Sequence, residues 1–302
     1  MKPRTLILGA TGFIGQELTR RLSRSQKPLC LVRSLSQAKA LFGDSVEFVT
    51  ELSQISGPID RVFNLAGAPI VDKPWTEEQK ALILESRVGL TKRLVTWMGA
   101  QEVKPQTLVQ GSAIGFYPFD AEEEMTEPHP AGTGFLAQLC AAWEAEALAA
   151  QALGVRVVLA RTGLVLGPKG GILQKMVPPF MAYVGGPLGN GRQWMSWIHL
   201  FDHLGALELL SRDPSLSGPF NLTAPNPIRA KGFAQALGRS LKKPSFLFVP
   251  AFLVRLILGE RAEMVLGSQK VLPHKLLESG FVFSYPEING ALSQIFATQT
   301  DL

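Results

Sequence analysis

The sequence predicts an α/β fold, a doubly wound parallel sheet with a smaller carboxyl-terminal capping region. Three observations carry this expectation. Short β-branched runs alternate with helical patterns through the first half of the chain, the first run ends in three glycines spaced three apart, and beyond about Gly163 the texture changes to glycine- and proline-rich punctuation. With 302 residues, 46% of them hydrophobic and 18% charged, the chain can bury a large core and has an ordinary globular balance.

Arg4 to Leu8 reads as the first strand, and L-I-L-G-A-T-G-F-I-G from Leu6 to Gly15 as a turn into a helix over Phe13 to Leu22. Each glycine has its own use there. Gly9 permits a tight turn out of the strand, Gly12 lets backbone N–H groups approach a pyrophosphate, and Gly15 lets the helix pack closely on the sheet. The helix N-terminus then faces the anion. This turn in its strand-to-helix context marks a dinucleotide site of the Rossmann type, with Gly9, Thr11, Gly12, Phe13, Ile14 and Gly15 as pyrophosphate contacts.

The second strand, Leu29 to Val32, ends in L-V-R-S, so Arg33 stands at the position that reads the adenosine ribose, with Ser34 beside it. A carboxylate there would pair with a free 2′-hydroxyl, whereas a guanidinium pairs two-pronged with a 2′-phosphate. The expected cofactor is therefore NADP, NADPH preferred over NADH; a solvated surface arginine is the alternative. Arg61 to Leu65 is the next strand, with Leu65, Ala66 and Gly67 on the adenosine and ribose side. Thr76 to Met98 reads as one helix with Glu77 and Glu78 in its first turn. Thr107 to Gln110, Gly134 to Leu153 closed by Gly154, and Arg156 to Ala160 complete the alternation.

The turn clusters at 167–171, 185–191 and 225–227 punctuate a second region, and no second glycine motif occurs in it. The boundaries drawn from this are a nucleotide-binding domain over residues 1–165, to which 200–224 returns, and a smaller substrate domain over 166–302. Irregular segments beyond the carboxyl ends of the strands are expected to cover the cofactor and shape a cleft.

The net charge of +5 comes from scattered basic residues, which argues against nucleic acid and is met by a site for an anionic ligand. Cys30 and Cys140 fit neither a metal knuckle nor a redox pair. Four histidines without a cluster at ligand spacing predict no metal. The amino terminus runs straight into the first strand, so a cytoplasmic chain is expected. Phe246 to Leu258 is the most apolar stretch but is interrupted by Pro250 and Arg255 and is too short to span a bilayer. It reads as a buried helix, with a membrane-surface or partner helix as the alternative. The acidic segment Asp120 to Glu127 reads as a solvated flap.

The glycine turn, V-F-N-L-A-G-A at 62–68, the Ser112 segment, R-T-G-L-V-L-G-P at 161–168 and W-I-H-L-F-D at 197–202 together resemble the extended short-chain dehydrogenases/reductases. More narrowly, E-S-R-V, F-L-A-Q-L-C-A-A-W-E, G-G-P-L-G-N-G-R-Q-W-M-S-W-I-H and L-P-H-K-L-L-E-S-G-F are similar to its atypical "epimerase family" branch. Members of that branch carry an added carboxyl-terminal domain of unknown function, and some bear a cell division inhibitor label. The resemblance implies a nicotinamide cofactor, a small-molecule substrate and pairing into a homodimer through helices such as 76–98 and 134–153.

It also exposes departures. Orthodox members transfer hydride with a Tyr-x-x-x-Lys pair, the lysine lowering the tyrosine pKa and holding the nicotinamide ribose. Here the matching positions are Leu136 and Cys140. Arg87 stands where an asparagine is usual, and the usual catalytic Ser/Thr falls at Ala113 beside Ser112. Gly111, Ser112, Arg87 and Thr162 are expected near the nicotinamide end. Tyr117 is a candidate acid or else a packing tyrosine, and His199 a candidate acid or base or else an organiser of the cleft. Asp202 reads as a helix cap. Arg192, Gln193 and Trp194 are candidate substrate contacts, with loop packing around the tryptophans as the alternative. An oxidoreductase or epimerase-like enzyme and a non-catalytic NADP-sensing or partner-regulating protein both remain open.

Overall fold

In a computed structural model, residues 3–119, 122–168 and 170–297 are described. In chain order the elements are strand β1 (Thr5–Leu8), helix α1 (Phe13–Ser23), β2 (Leu29–Leu31), α2 (Leu35–Phe42), β3 (Glu47–Val49), β4 (Arg61–Asn64), α3 (Glu77–Leu84), α4 (Leu90–Ala100), β5 (Thr107–Ala113), β6 (Glu124–Met125), α5 (Phe135–Leu148), β7 (Arg156–Thr162), β8 (Leu164–Leu166) and α6 (Leu173–Met181). They continue as β9 (Trp194–Met195), β10 (Trp197–His199), α7 (Leu200–Arg212), β11 (Gly218–Leu222), β12 (Ile228–Arg229), α8 (Ala230–Leu241), α9 (Ala251–Leu258), α10 (Glu263–Leu266), β13 (Lys270–Val271), α11 (His274–Glu278) and α12 (Ile288–Ala297).

The central sheet has seven strands in the order β11-β7-β5-β4-β1-β2-β3, and every pairing in it is parallel. The doubly wound Rossmann class expected from the sequence is therefore the observed one. Side chains alternate across the sheet, as the period of two requires. Ile7, Phe63, Val109 and Val158 enter the core under α1 and α7, while Leu6, Leu8, Val62, Leu108 and Val157 enter the core under α4 and α5. Strands buried on both faces read as continuous apolar runs, which is why these were legible. The strand order reverses between β1 and β4, the switch point at which open α/β sheets bind ligands.

The remaining strands form two-stranded ribbons, β8 with β10, β9 with β12 and β6 with β13. A separate apolar core of Leu173, Phe180, Trp197, Phe233 and Leu292 joins α6, α8 and α12.

Three expectations change. Thr76 to Met98 is not one regular helix: Thr76 caps α3 and a π-turn over Glu85–Gly89 separates α3 from α4. The acidic stretch is a solvated flap only in part, since Glu122, Glu123 and Glu124 are exposed but its end is not. Met125 and Glu127 are buried, β6 pairs with β13, and Glu127 Oε1 accepts from the backbone N–H of Asn221 at 3.1 Å; residues 120 and 121 lie outside the described residues. Finally, Phe246 to Leu258 is not a buried helix. Only Val254 of α9 is buried, and Phe246, Phe248, Phe252, Leu256 and Ile257 face solvent.

Candidate functional site

The glycine turn departs from β1 at Gly9, whose φ of 84° favours glycine. A Cβ there would lie 2.6 Å from the Leu65 carbonyl carbon. Gly15 is also forced, because a Cβ would overlap the Gly9 carbonyl and push α1 off the turn. Gly12 is different. Its φ of −79° suits any residue, and a Cβ would meet only the Gly9 oxygen at 3.4 Å, an ordinary contact. Nothing among the described residues requires glycine at this position.

Gly12 caps α1 without a side-chain hydrogen bond, and no acidic residue stands in the first turn. The leading N–H groups and positive end of the helix dipole therefore lack a side-chain counter-charge. Thr11 offers its carbonyl to Gln16 Nε2 at 2.7 Å, while Phe13 and Ile14 pack on the core below. A Cβ at Gly171 would lie 2.9 Å from the Phe13 ring, so the glycine cluster after β8 closes over this helix start.

Arg33 follows β2, exposed, with no hydrogen bond or ion pair among the described residues. Ser34 caps α2, its Oγ accepting from the Gln37 N–H at 3.4 Å and lying 3.1 Å from Ser36 Oγ. Leu65 continues from β4, its N–H donating to the Leu8 carbonyl at 3.0 Å, and the Leu65–Ala66 backbone abuts Gly9. Gly67 is shaped by Arg87: a Cβ there would lie 2.6 Å from the guanidinium carbon. Arg87, in the π-turn, donates to the Ala68 carbonyl at 3.0 Å and lies over the Trp143 ring at 5.3 Å. It has no carboxylate partner among the described residues. Burial pulls its pKa down to about 10, which leaves it cationic at neutral pH. Cys140, close enough to feel that charge, is pushed up to about 12 by burial and by Glu144.

Gly111 lies against the Asn64 carbonyl and Trp143, a Cβ there falling 3.0 Å from the former. Beneath it Asn64 Nδ2 donates to Thr91 Oγ1 and Gln110 Oε1, both at 2.9 Å, and Trp143 Nε1 donates to Thr91 Oγ1 at 3.0 Å. Ser112 donates its hydroxyl to Glu144 Oε1 at 2.6 Å. Glu144 also accepts from Arg161, Nε to Oε1 and Nη2 to Oε2, each at 2.8 Å, and both side chains are only 6% exposed. Arg161 Nη1 donates to the Tyr117 hydroxyl at 2.9 Å and the Glu127 carbonyl at 3.0 Å. The Tyr117 hydroxyl donates to Asn221 Oδ1 at 2.7 Å.

This network seals Tyr117, which is fully buried. Burial raises the phenol's pKa, and the nearby Arg161 and Asn221 offset only part of that. The geometry is that of a packing tyrosine. Thr162 Oγ1 lies 3.0 Å from His203 Nε2, and burial holds His203 neutral by lowering its pKa to about 3.

The candidates beyond β8 are tied into the scaffold. Gln193 is buried and donates to the carbonyls of Leu188 at 2.9 Å and Val265 at 3.2 Å. Trp194 lies between two cations, Arg229 at 3.9 Å and Lys270 at 4.9 Å from its ring. Arg192 is exposed, its carbonyl accepting from Arg229. His199 caps α7: its Nδ1 accepts from the Phe201 N–H at 3.1 Å, which leaves Nε2 to donate to Gln294 Oε1 at 3.0 Å. Burial lowers its pKa. The capping role read for Asp202 therefore belongs to His199, while the Asp202 carboxylate accepts from the N–H groups of Ser284 and Tyr285, both at 2.9 Å. No cluster able to hold a metal occurs among the described residues.

The sheet register brings the glycine turn, Leu65–Gly67, Gly111 and Thr162 to the carboxyl ends of adjacent strands, with Arg87 reaching in from the π-turn. Trp194 stands in the separate β9–β12 ribbon, with Arg192 two residues before it. Sequence reasoning missed Glu144, Arg161, Glu127 and Asn221. The signal was present: Glu144 in the apolar helix segment F-L-A-Q-L-C-A-A-W-E and Arg161 beside the apolar interior of strand R-V-V-L-A-R-T, each too costly to bury without the other.

The sequence profile of the NAD dependent epimerase/dehydratase family matches residues 5–222, and that of a domain of unknown function, DUF1731, matches residues 249–295. The chain is 40% identical over 298 residues to the chloroplastic "Epimerase family protein SDR39U1 homolog" of Arabidopsis thaliana, covering 96% of this chain and 85% of that one. It is 37% identical over 296 residues to "Epimerase family protein YfhF" of Bacillus subtilis, covering 96% of each. Among solved structures, human epimerase family protein SDR39U1 with NADPH superposes with a TM-score of 0.88 at 31% identity, covering 97% of this chain and 99% of that one. The UDP-glucuronic acid 4-epimerase of Bacillus cereus, at 15% identity and a TM-score of 0.80 over 99% of each chain, shares the fold. The chain belongs to the NAD dependent epimerase/dehydratase family.

Proposed function

We propose that this protein binds NADP(H) at the carboxyl edge of its sheet and acts on a small molecule as an oxidoreductase or epimerase-like enzyme that does not use a Tyr-x-x-x-Lys pair. The observation that carries the reading is Gly12, a glycine that no contact or torsion among the described residues demands, set at the uncapped start of α1. A Cβ there would occupy the approach to the first-turn N–H groups, so its absence suits a pyrophosphate. Arg33 answers the 2′-phosphate, with its charge free of competing carboxylates and Ser34 adjacent. Leu65, Ala66 and Gly67 border the ribose side, and Gly111, Thr162 and Arg87 the nicotinamide side. The relative solved with NADPH supports the phosphorylated cofactor.

The nicotinamide would supply or accept hydride. Arg87, a buried cation without a carboxylate partner among the described residues, would hold an anionic or carbonyl oxygen near it. Ser112 is held by Glu144 as part of the floor, and Arg192 would meet substrate from the rim. Titration with NADPH and NADH, on the native chain and on Arg33→Asp, tests the reading. NADPH should bind more tightly than NADH, and the variant should lose that preference; equal affinity in the native chain would remove the phosphate role of Arg33.

A second reading, an NADP-sensing protein without turnover, is favoured by one observation: the Tyr117 hydroxyl is consumed by Arg161 and Asn221, while Leu136 and Cys140 supply no accessible acid. NADPH binding that changes protease sensitivity, together with no cofactor oxidation across a panel of carbonyl compounds, is the outcome this reading expects.

A further inference from the structure

The exposed apolar segment before and along α9 has no use in the nucleotide cleft. Phe246 is 77% exposed, Phe248 61%, Phe252 67%, Leu256 79% and Ile257 71%. Within α9, Phe252 and Leu256 are four residues apart and share one face of the helix, and Phe246 and Phe248 stand in the irregular segment that leads into it. A second segment extends the face. The chain through residues 186–189 runs beside 247–249, with the Gly189 N–H donating to the Val249 carbonyl at 2.9 Å and Val249 N–H to the Pro187 carbonyl at 3.2 Å. Met181, Tyr183 and Val184, shortly before this contact, are exposed as well, and the Lys243 ammonium lies 3.9 Å from the Tyr183 ring centre. Tyr183 has a φ of 62°, unfavourable for a bulky residue. Its hydroxyl accepts from Lys243 Nζ at 2.7 Å.

The segments that build this face carry no acid, although Glu260 and Glu263, directly after α9, line a hollow with Arg255. No aspartate or glutamate occurs between Asp213 and Glu260, a stretch that carries Arg229, Lys231, Arg239, Lys242, Lys243 and Arg255. None occurs between Glu146 and Asp202, the stretch that contains Tyr183. Lys242 and Arg255 are exposed at the edge of the apolar stripe. Two such faces brought together would oppose like charges, which disfavours a second copy as the cover. Aromatic and aliphatic side chains flanked by lysine and arginine match a bilayer surface, where the rings enter the headgroup boundary and the cations meet lipid phosphates. Among the described residues no helix is long and apolar enough to cross a membrane, so the segment would lie on the surface.

We propose that the face formed by Phe246–Phe248, the Phe252–Leu256 stripe of α9 and Tyr183 is a docking surface for anionic phospholipid bilayers, with Lys242, Lys243 and Arg255 supplying the charge selectivity. It stands independently of the cofactor assignment.

Co-sedimentation with vesicles of phosphatidylcholine alone, and of phosphatidylcholine with phosphatidylglycerol, tests this. The native chain should sediment with the anionic vesicles at low salt, be released at high salt and ignore the neutral ones. Phe252→Asp with Leu256→Asp should abolish the association. Lys242→Glu, Lys243→Glu and Arg255→Glu together should weaken it by roughly five-fold for each positive charge removed or more. Far-ultraviolet dichroism and the thermal midpoint report whether each variant is folded, and the basic variant keeps the test open if the apolar one is not. A folded native chain that stays in the supernatant with anionic vesicles overturns the proposal, as does equal sedimentation with neutral ones. A lipid-free dimer lost in the same variants would also overturn it, assigning the face to a second copy.

Discussion

Replacing Gly12 by alanine separates what the fold needs from what the ligand needs. The new Cβ would rest 3.4 Å from the Gly9 oxygen at a φ of −79°, so neither clash nor torsional strain arises. Alanine is a poorer N-cap than glycine by roughly 0.5–1 kcal/mol, and the restricted unfolded chain returns about 0.4–1 kcal/mol. Net stability should therefore change by less than about 1 kcal/mol. Binding should respond differently. A methyl group over the first turn holds a pyrophosphate beyond reach of one N–H donor, worth about 1.5–3 kcal/mol to a charged acceptor. A loss of 1.5–3 kcal/mol corresponds to roughly a 10- to 150-fold weaker affinity. Gly9→Ala and Gly15→Ala serve as contrasts, since both meet backbone and should unfold at lower temperature. The assay is NADPH titration by nicotinamide fluorescence beside thermal unfolding. Native affinity in a folded Gly12→Ala would refute the reasoning, because the glycine would then be idle.

Other consequences concern the buried groups. Glu144→Gln leaves Arg161 with its charge uncompensated at 6% exposure and should cost about 3–5 kcal/mol in denaturant unfolding; a loss below about 1 kcal/mol would contradict a sealed ion pair. Tyr117→Phe should retain any NADPH turnover that the native chain shows while losing about 1–2 kcal/mol of stability, because Asn221 Oδ1 loses its donor. Burial lowers the folded pKa of His203 from the ordinary 6.5 to about 3, so the unfolded chain takes up the proton first. Its contribution is complete above about pH 6.5 and is lost as pH falls toward 3, at up to about 1.4 kcal/mol per pH unit. A His203→Gln variant with the same acid sensitivity as the native chain would discount it. Cys30 and Cys140, both buried and pushed up to about 12, should resist alkylation until the chain unfolds.

The parts of the fold that were legible in the sequence are those with a one-dimensional cause. Thr5–Leu8, Arg61–Asn64 and Arg156–Thr162 are buried on both faces, so they appear as apolar runs, and the glycine turn carries its constraints in its spacing. β3 escaped notice because Glu47–Val49 is short and only half covered. The π-turn at Glu85–Gly89 was invisible for another reason: one extra residue per turn leaves composition unchanged, yet it changes the direction in which Arg87 points. A run as nearly apolar as Phe246 to Leu258 has no clear period to distinguish a buried helix from an exposed one, and only the packing of α9 decided it. The roles proposed for Gly12 and Arg33 rest on local backbone and charge, which a sequence carries directly. Ser112, Tyr117, Gln193 and His199 have the residue types of chemistry, but their hydrogen bonds come from Glu144, Arg161, Val265 and Gln294, partners distant in sequence.

The most direct test of the nucleotide assignment is a crystal structure of the protein grown with NADPH. The account predicts density for the pyrophosphate over Gly12 at the start of α1, with the 2′-phosphate within hydrogen-bond distance of the Arg33 guanidinium and the nicotinamide between Gly111 and Arg87. Crystals at saturating NADPH that leave the glycine turn empty, or that hold the 2′-phosphate away from Arg33, would contradict it.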